Sequence, residues 1–549
     1  MPVTNGLTPV SGAWTKDQAA HLLRRTLFGP KRQEINSAVT MGLAGTLNQL
    51  FATVPLPAPP LRHYDTANTR NTDVQVGQTW VNSPHSPNED VGQYRWPSLR
   101  GWYFQTVWDG PFNIMDKLAM FWMNHFGMSD VGEHRAQYQY IQLFRDIGKG
   151  SFQTMIEEIT VHPSMLRFLN GDYSTRWDPN ENYARELLEL FTVQKGPQIA
   201  PGDYTHYTET DITEIARIMT GWRNRGMWSQ ANEPVESYWH QNWHDTGTKQ
   251  LSYHFNNAVI QNNDADEYKD LIAVIFQQDE VAKSICREFY RFFVHYEIDA
   301  TIEATVITPL ADFMRANGYS VELTLRNLFS SQHFYDMAVR GPQIKSPYDF
   351  VFSIIRPMGG YRHLGLSLDQ VSVGNNLQTA YEVGTGIHWW TNTMDMDFLY
   401  PPTVAGWKAY YQTPGFYRNW IGSATLKRRR KFVEDATNRG IWTRTDGDSG
   451  NYQPRGFDWL NWIAELNNPY DVNDVVDEIL EIFLPRQLEP PQYDALKNQL
   501  LNGQLDSEWT VQWSSYVSSP MNPAIVNPLT TAVKNFFRAL FGMAEFQLQ

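Results

Sequence analysis

Trp177-Asp178-Pro179-Asn180-Glu181-Asn182-Tyr183-Ala184-Arg185-Glu186-Leu187-Leu188-Glu189-Leu190-Phe191 is the stretch from which the fold is read. Asp178 stands where an N-cap belongs, Pro179 at the first helical position and Glu181 where a capping-box carboxylate reaches back. Tyr183, Ala184, Leu187, Leu188 and Phe191 form one apolar stripe at helical spacing. Arg185, Glu186 and Glu189 are left over, spaced for Glu181–Arg185 and Arg185–Glu189 pairs. A second helix, Thr208 to Thr220, ends at Gly221-Trp222. By composition this is a capped core helix with a solvated charged face. The alternative is a pocket lined by Asn182, Arg185 and Glu186.

Outward from this pair the same period recurs. Thr15-Lys16-Asp17-Gln18 opens a helix that Gly29-Pro30 stops, and another runs from about Arg32 to Phe51. Leu99 to Gly127 reads as helical and aromatic, with His125 on or near the apolar face. Residues 134–149, 151–170, 264–291, 302–317, 321–330, 346–358, 416–437, 456–466, 471–485, 490–502 and 530–543 continue the pattern. Period-2 alternation is scarce, so the fold class is mainly α, and no fixed repeat suggests a solenoid. The simplest organisation is a single large helical domain over 1–549, with a loop-rich insertion at 53–98 and an exposed loop at 438–455. Residues 223–255 and 359–410 also read as loop-rich. His63 and His85 are expected on a loop surface.

The chain has 549 residues, a net charge of −14 and 14% aromatic residues, with 20 Trp, 27 Tyr and 29 Phe. Such a charge argues against a general nucleic-acid binder. Lys427-Arg428-Arg429-Arg430-Lys431 is the one basic run and reads as a solvated helix face. The single cysteine, Cys286, excludes an intrachain disulfide and a Cys-rich zinc site, and its apolar neighbours suggest a buried thiol. The first six residues lack the features of a signal peptide, and no apolar run is long enough for a membrane helix.

No phosphate loop, Gly-x-Ser-x-Gly elbow, His-Glu-x-x-His pair or dinucleotide fingerprint is present. Paired carboxylates are abundant, and glycoside hydrolysis needs two of them across a sugar. Glu186, Asp245 and Asp178 are candidates. Metal binding would draw on His125, His244, Asp245 and Glu186, with Glu186 and Glu189 at the i, i+3 spacing of helical carboxylate sites. The sequence specifies no metal and no cofactor.

Several stretches, in order, resemble the bacterial "domain of unknown function 1800" family. They are residues 20–29 (AHLLRRTLFG), Lys117 through Phe126, Pro179 to Leu187 with Phe191-Thr192, Tyr207-Thr208-Glu209, Met219 to Trp222, His244-Asp245-Thr246 with Lys249, Ile285 to Val294, Ile344-Lys345-Ser346-Pro347, Pro402 to Trp407, and the closing Glu545 to Gln549. The details resemble members from Bacteroidetes-type bacteria. The family often carries Trp-His-Asn-His-Phe where this chain has Trp122-Met123-Asn124-His125-Phe126. Positions i and i+2 face about 200° apart on a helix. His125 therefore stays a candidate and a two-histidine site does not.

The resemblance implies an exported-type protein, periplasmic or secreted, although the chain's own start would also suit the cytoplasm. It also implies association with an exported sulfatase/phosphatase-like protein of the "domain of unknown function 1501" family. The leading expectation is a hydrolase on a polymeric or glycosidic substrate such as a polysaccharide. Glu186 would be its acid/base, Arg185 the charge partner, and His125 and Asp245 the second members. Asn182, Trp222, His244, Lys249 and Trp407 would bind substrate. A non-catalytic binding or assembly partner and a helical metal-dependent enzyme are the alternatives.

Overall fold

Helices form where a side chain can close the first turn. The Thr15 hydroxyl accepts the Gln18 amide at 3.2 Å, and the Gln18 side chain returns to the Thr15 amide at 3.0 Å, ahead of Lys16–Thr26. Thr208 and Asp211 make the same box ahead of Glu209–Ile218, and Ser346 caps Pro347–Ile355 by accepting the Asp349 amide. In the computed structural model, which describes residues 6–63, 74–85, 92–129, 131–359, 375–407, 416–444 and 452–549, the chain is mainly α. One apolar cluster runs from Ala19 to Phe546 and takes in residues from most of the helices between them. No helix among the described residues is long and apolar enough to cross a membrane.

The strands come in short antiparallel pairs. Gln198–Ala200 pairs with Asp203–Tyr204, Trp222–Arg225 with Glu236–Trp239, and Lys249–Gln250 with Val259–Ile260. All three lie between residues 198 and 260 and brace the segment read above as a loop at 223–255. Too short to show an alternating pattern, they escape a period-2 reading.

Other boundaries differ from expectation for reasons of packing. The insertion read at 53–98 ends earlier, because Gly92–Asp109 is a helix that contains Pro97. Tyr94 and Arg95 are buried in its first turns, and the Ser98 hydroxyl donates to Leu61 O at 2.7 Å, so tertiary contacts hold the segment despite the proline. Residues 64–73 and 86–91 of that insertion lie outside the described residues. Within the stretch read as loop-rich at 359–410, Asn375–Thr393 is a helix packed against Gly92–Asp109. A Cβ on Gly384 would lie 2.3 Å from Gly101 O, so this approach depends on glycine, a poor helix former that hides the helix from propensity.

The stretch read as an exposed loop at 438–455 contains two paired strands, Ile441–Arg444 and Tyr452–Arg455, and residues 445–451 between them lie outside the described residues. Asp506–Ser518 is an unanticipated helix. It buries only the narrow pair Trp509 and Trp513, stacked at 5.7 Å, too thin a stripe to read. Arg429 is buried and donates to Lys345 O at 2.7 Å, so the basic run is not all a solvated face. His63 is buried too, 5.0 Å from the Tyr381 ring, and burial lowers its pKa to about 3.

Candidate functional site

Asp178 precedes a proline, which favours extended backbone, and it pairs with Thr175 in a tight bridge instead of capping. The cap falls two residues later. Asn180 Oδ1 accepts the Asn182 amide at 2.8 Å, and the helix runs Glu181–Glu186. It widens into a π turn over Leu187–Phe191, closed by the Thr192 hydroxyl donating to Leu187 O at 2.5 Å. Tyr183, Ala184, Leu187, Leu188 and Phe191 are buried as the stripe predicts, and Asn182 is exposed.

Arg185 is clamped rather than free. Its two terminal nitrogens meet the two oxygens of Glu209 at 3.1 and 2.8 Å, with Glu181 at 3.5 Å and Glu189 at 3.6 Å. Glu209 sits in the first turn of its helix, where the dipole favours an anion. Burial would raise the pKa of Glu189. The Lys195 ammonium at 2.8 Å and the Tyr207 hydroxyl at 2.5 Å outweigh burial and hold that carboxyl below its usual range. Glu186, one position from Arg185, goes the other way: burial and then the Glu189 charge raise it. Two neighbouring carboxyls with opposed proton affinity can in principle act as an acid and a base.

His244 and Lys249 form a second centre around a residue the sequence did not single out, Glu267. His244 Nε2 lies 2.9 Å from one Glu267 oxygen and Lys249 Nζ 2.6 Å from the other, all three side chains fully buried. His244 Nδ1 donates to Thr220 O at 2.9 Å. Asp245 turns away to Arg217 Nε at 2.9 Å and to the Gly247 amide at 2.8 Å, and burial is outweighed so that its pKa falls below the usual range. Trp222 is half-buried, edge-on to Tyr268 at 5.6 Å. Glu267 lies in an acidic run, Asp264 to Asp270, that reads as a solvated first turn; no sequence signal separates it from its neighbours.

His125 closes the helix Met115–His125 inside an aromatic shell of Phe121, Trp122, Phe126, Phe152 and Phe191. Its Nε2 donates to Phe191 O at 3.3 Å, and burial lowers its pKa to about 4. Trp407 is buried and gives its backbone amide to Asn124 Oδ1 at 2.9 Å. Glu186 thus borders the Arg185–Glu189 cluster, while His125 and Asp245 each hold a place in a separate network. Among the described residues no group of three His, Cys, Asp or Glu side chains is arranged to hold a metal ion.

The His125 environment sets a pH dependence. With a folded pKa near 4 against about 6.5 unfolded, the unfolded chain binds the extra proton between those values. Stability from this site is full above about pH 6.5 and is lost as pH falls toward 4, by at most about 3 kcal/mol. His125→Gln, which keeps a donor for Phe191 O, is expected to flatten that part of the curve measured by urea unfolding. Parallel curves for the two proteins would contradict this.

Beside these networks the surface carries large aromatic side chains. Tyr173, Trp177 and Trp228 are 62%, 66% and 41% exposed. The Arg167 guanidinium lies 5.3 Å from the Tyr173 ring centre and 5.2 Å from that of Trp228. Arg176 sits 4.4 Å over Trp177, and its amide bonds Trp243 O at 2.8 Å. Arg223 covers Trp243 at 4.0 Å. Trp228 has a φ of 53°, a region bulky residues avoid. It is held there because its amide donates to buried Glu133 at 2.8 Å and its indole N–H to Gly132 O at 2.9 Å. Sequence reading missed this face because lone exposed aromatics look like any others until the backbone brings them together.

The family profile described as "Protein of unknown function (DUF1800)" matches residues 21–548, nearly the whole chain. No match was found among curated proteins or among solved structures.

Proposed function

We propose, from the premise that the chain belongs to the DUF1800 family, that it is a binding and assembly protein whose Tyr173–Trp177–Trp228 face docks another protein. The observation that carries this is Trp228: exposed, in strained left-handed backbone, and fixed by a buried carboxylate. Strain of this kind costs on the order of 1–3 kcal/mol and persists only where surrounding structure imposes it. Trp, Tyr and Arg are the side chains that dominate binding hot spots. Guanidinium groups already lie over or beside the rings here, which suits a mosaic protein interface better than the bare platforms a sugar stacks on.

The partner chemistry that fits the resemblance is the exported sulfatase/phosphatase-like protein. Calorimetric titration of that protein from the same source into this chain tests the reading. Trp228→Ala and Trp177→Ala are each expected to weaken binding about 30-fold, the size of a 2 kcal/mol hot spot. Arg430→Ala, at an exposed position on another helix, is expected to change nothing. No binding, or equal affinity in all four proteins, would sink the proposal. Binding of a soluble polysaccharide, lost in the same variants, would move the face to glycan recognition.

A second reading, the hydrolase, is favoured by the Glu186–Glu189 pair. Under it Glu186 is protonated as the acid while Glu189 stays ionised. Carbon-detected NMR titration of the glutamate carboxyls is expected to place Glu186 above and Glu189 below the ordinary glutamate midpoint. Coincident midpoints would remove the pair from acid–base chemistry.

A further inference from the structure

The stretches at residues 20–29, 117–126, 344–347 and 545–549 are unused by the surface described above, yet they converge on one buried place. Arg24, Arg25, Lys117, Lys345 and Arg429 are all buried there, with Asp349 the buried carboxylate among them and Asp17 and Glu481 acting on Arg24 from the more exposed side. Asp349 is already committed. One oxygen pairs with Lys117, and the other accepts from the Ser346 hydroxyl at 2.8 Å and the Gln549 amide group at 3.4 Å. Arg25 gives its terminal nitrogens to Val294 O, Val339 O and Gln343, and Arg429 gives its own to Lys345 O and Gln547. Like Arg24, each leaves its Nε unpartnered among the described residues, but neither lines the cavity beside Lys345.

Lys345 is different. Its residue is 3% exposed, and its Nζ has no hydrogen-bond partner among the described residues. It rests 3.6 Å from the centre of the Phe546 ring, which compensates a buried ammonium only in part. Arg24 gives one terminal nitrogen to Glu481 O at 2.7 Å and leaves its Nε unpartnered. Lys345 and Arg24 line the same cavity, with Gly29, Pro30, Asp349, Ser353 and Gln549 among its other walls. The free space inside is about 10 Å³, room for one body the size of a water molecule. Asp349 is the carboxylate whose charge acts on Lys345, but it is paired with Lys117. A buried ammonium whose counter-charge is taken by another cation is costly, so it either finds a further anion or gives up its proton.

We propose that this cavity binds a single small monovalent anion of the chloride or bromide type, held between Lys345 Nζ and Arg24 Nε. Phosphate and sulfate are far too large for this space, whereas a halide is only somewhat larger than a water and enters as the flexible ends of Lys345 and Gln549 give by a few tenths of an ångström. The anion offsets an excess of buried positive charge where the first helix, the helix Pro347–Ile355 and residues 545–549 meet, and so ties these segments together.

The test uses the full chain. Crystals grown in sodium bromide, with data collected at the bromine edge, are expected to show an anomalous peak at Lys345. Melting temperature is expected to rise with sodium chloride above the rise in sodium gluconate at equal ionic strength, because a ligand that binds only the folded state stabilises it. Lys345→Met keeps the volume and removes the charge; it is expected to lose both the peak and the chloride increment. Bromide on surface sites only, or equal effects of chloride and gluconate on the wild-type chain, would overturn the proposal and leave Lys345 an uncharged amine beside a water. The wild-type measurements decide even if the variant does not fold.

Discussion

Replacing Glu267 by leucine is expected to lower the unfolding free energy by about 3–5 kcal/mol, the cost of leaving a buried charge without its partner. Both Glu267 oxygens are used, one by Lys249 at 2.6 Å and the other by His244 at 2.9 Å, and none of the three side chains reaches solvent. Removing the carboxylate strands the Lys249 ammonium, whose other polar contact among the described residues is Asp245 O. The helix Glu267–Ile275 would also separate from the strand pair Lys249–Gln250 and Val259–Ile260 that it braces. Glu267→Leu combined with Lys249→Met is expected to recover much of the loss, because a buried pair exchanged for apolar groups is often neutral or better. Urea denaturation of the single and double variants measures both quantities. A loss below about 1 kcal/mol in the single variant would mean that Lys249 finds water or another acceptor at little cost.

Gly406→Ala is expected to cost about 3 kcal/mol through two effects that add. Its φ of +82° strains any residue with a Cβ, and that Cβ would lie 2.3 Å from Asn124 O and 2.5 Å from Asn124 Oδ1. Asn124 cannot yield easily, because the same Oδ1 accepts the Trp407 amide at 2.9 Å. Gly503 separates the two effects: its φ is +81° but nothing lies within 4 Å of its would-be Cβ. Gly503→Ala is therefore expected to carry only the strain, and a Gly406→Ala loss no larger than that of Gly503→Ala would contradict the close contact. The Pro402–Trp407 stretch is thereby packed against the end of the His125 helix.

The helices were legible because their information is local. The Thr15 and Thr208 boxes and the Tyr183–Phe191 stripe are written within one or two turns. What escaped reading depends on distant partners. Nothing near Asn375 reveals that Gly384 will meet Gly101, and nothing near Glu267 reveals Lys249 and His244. The charged residues around Arg185 were picked out correctly as a cluster, but their strongest partner, Glu209, comes from the next helix. His125 and Asp245 were grouped with them on chemistry alone, and each instead answers to a neighbour of its own, Phe191 and Arg217. Charge type is visible in a sequence; which opposite charge a side chain will meet is decided by packing.

The segment Gly171 to Trp243 is where these readings meet, since it carries the clamped Arg185 network, the strained Trp228 and the exposed Tyr173 and Trp177. Hydrogen–deuterium exchange of the chain, alone and mixed with the sulfatase/phosphatase-like protein, tests the docking face most directly. Protection is predicted over residues 171–177 and 222–243, with the helices Val472–Phe483 and Pro490–Leu501 unchanged. Protection confined to those distant helices, or none anywhere at saturating partner, would contradict it.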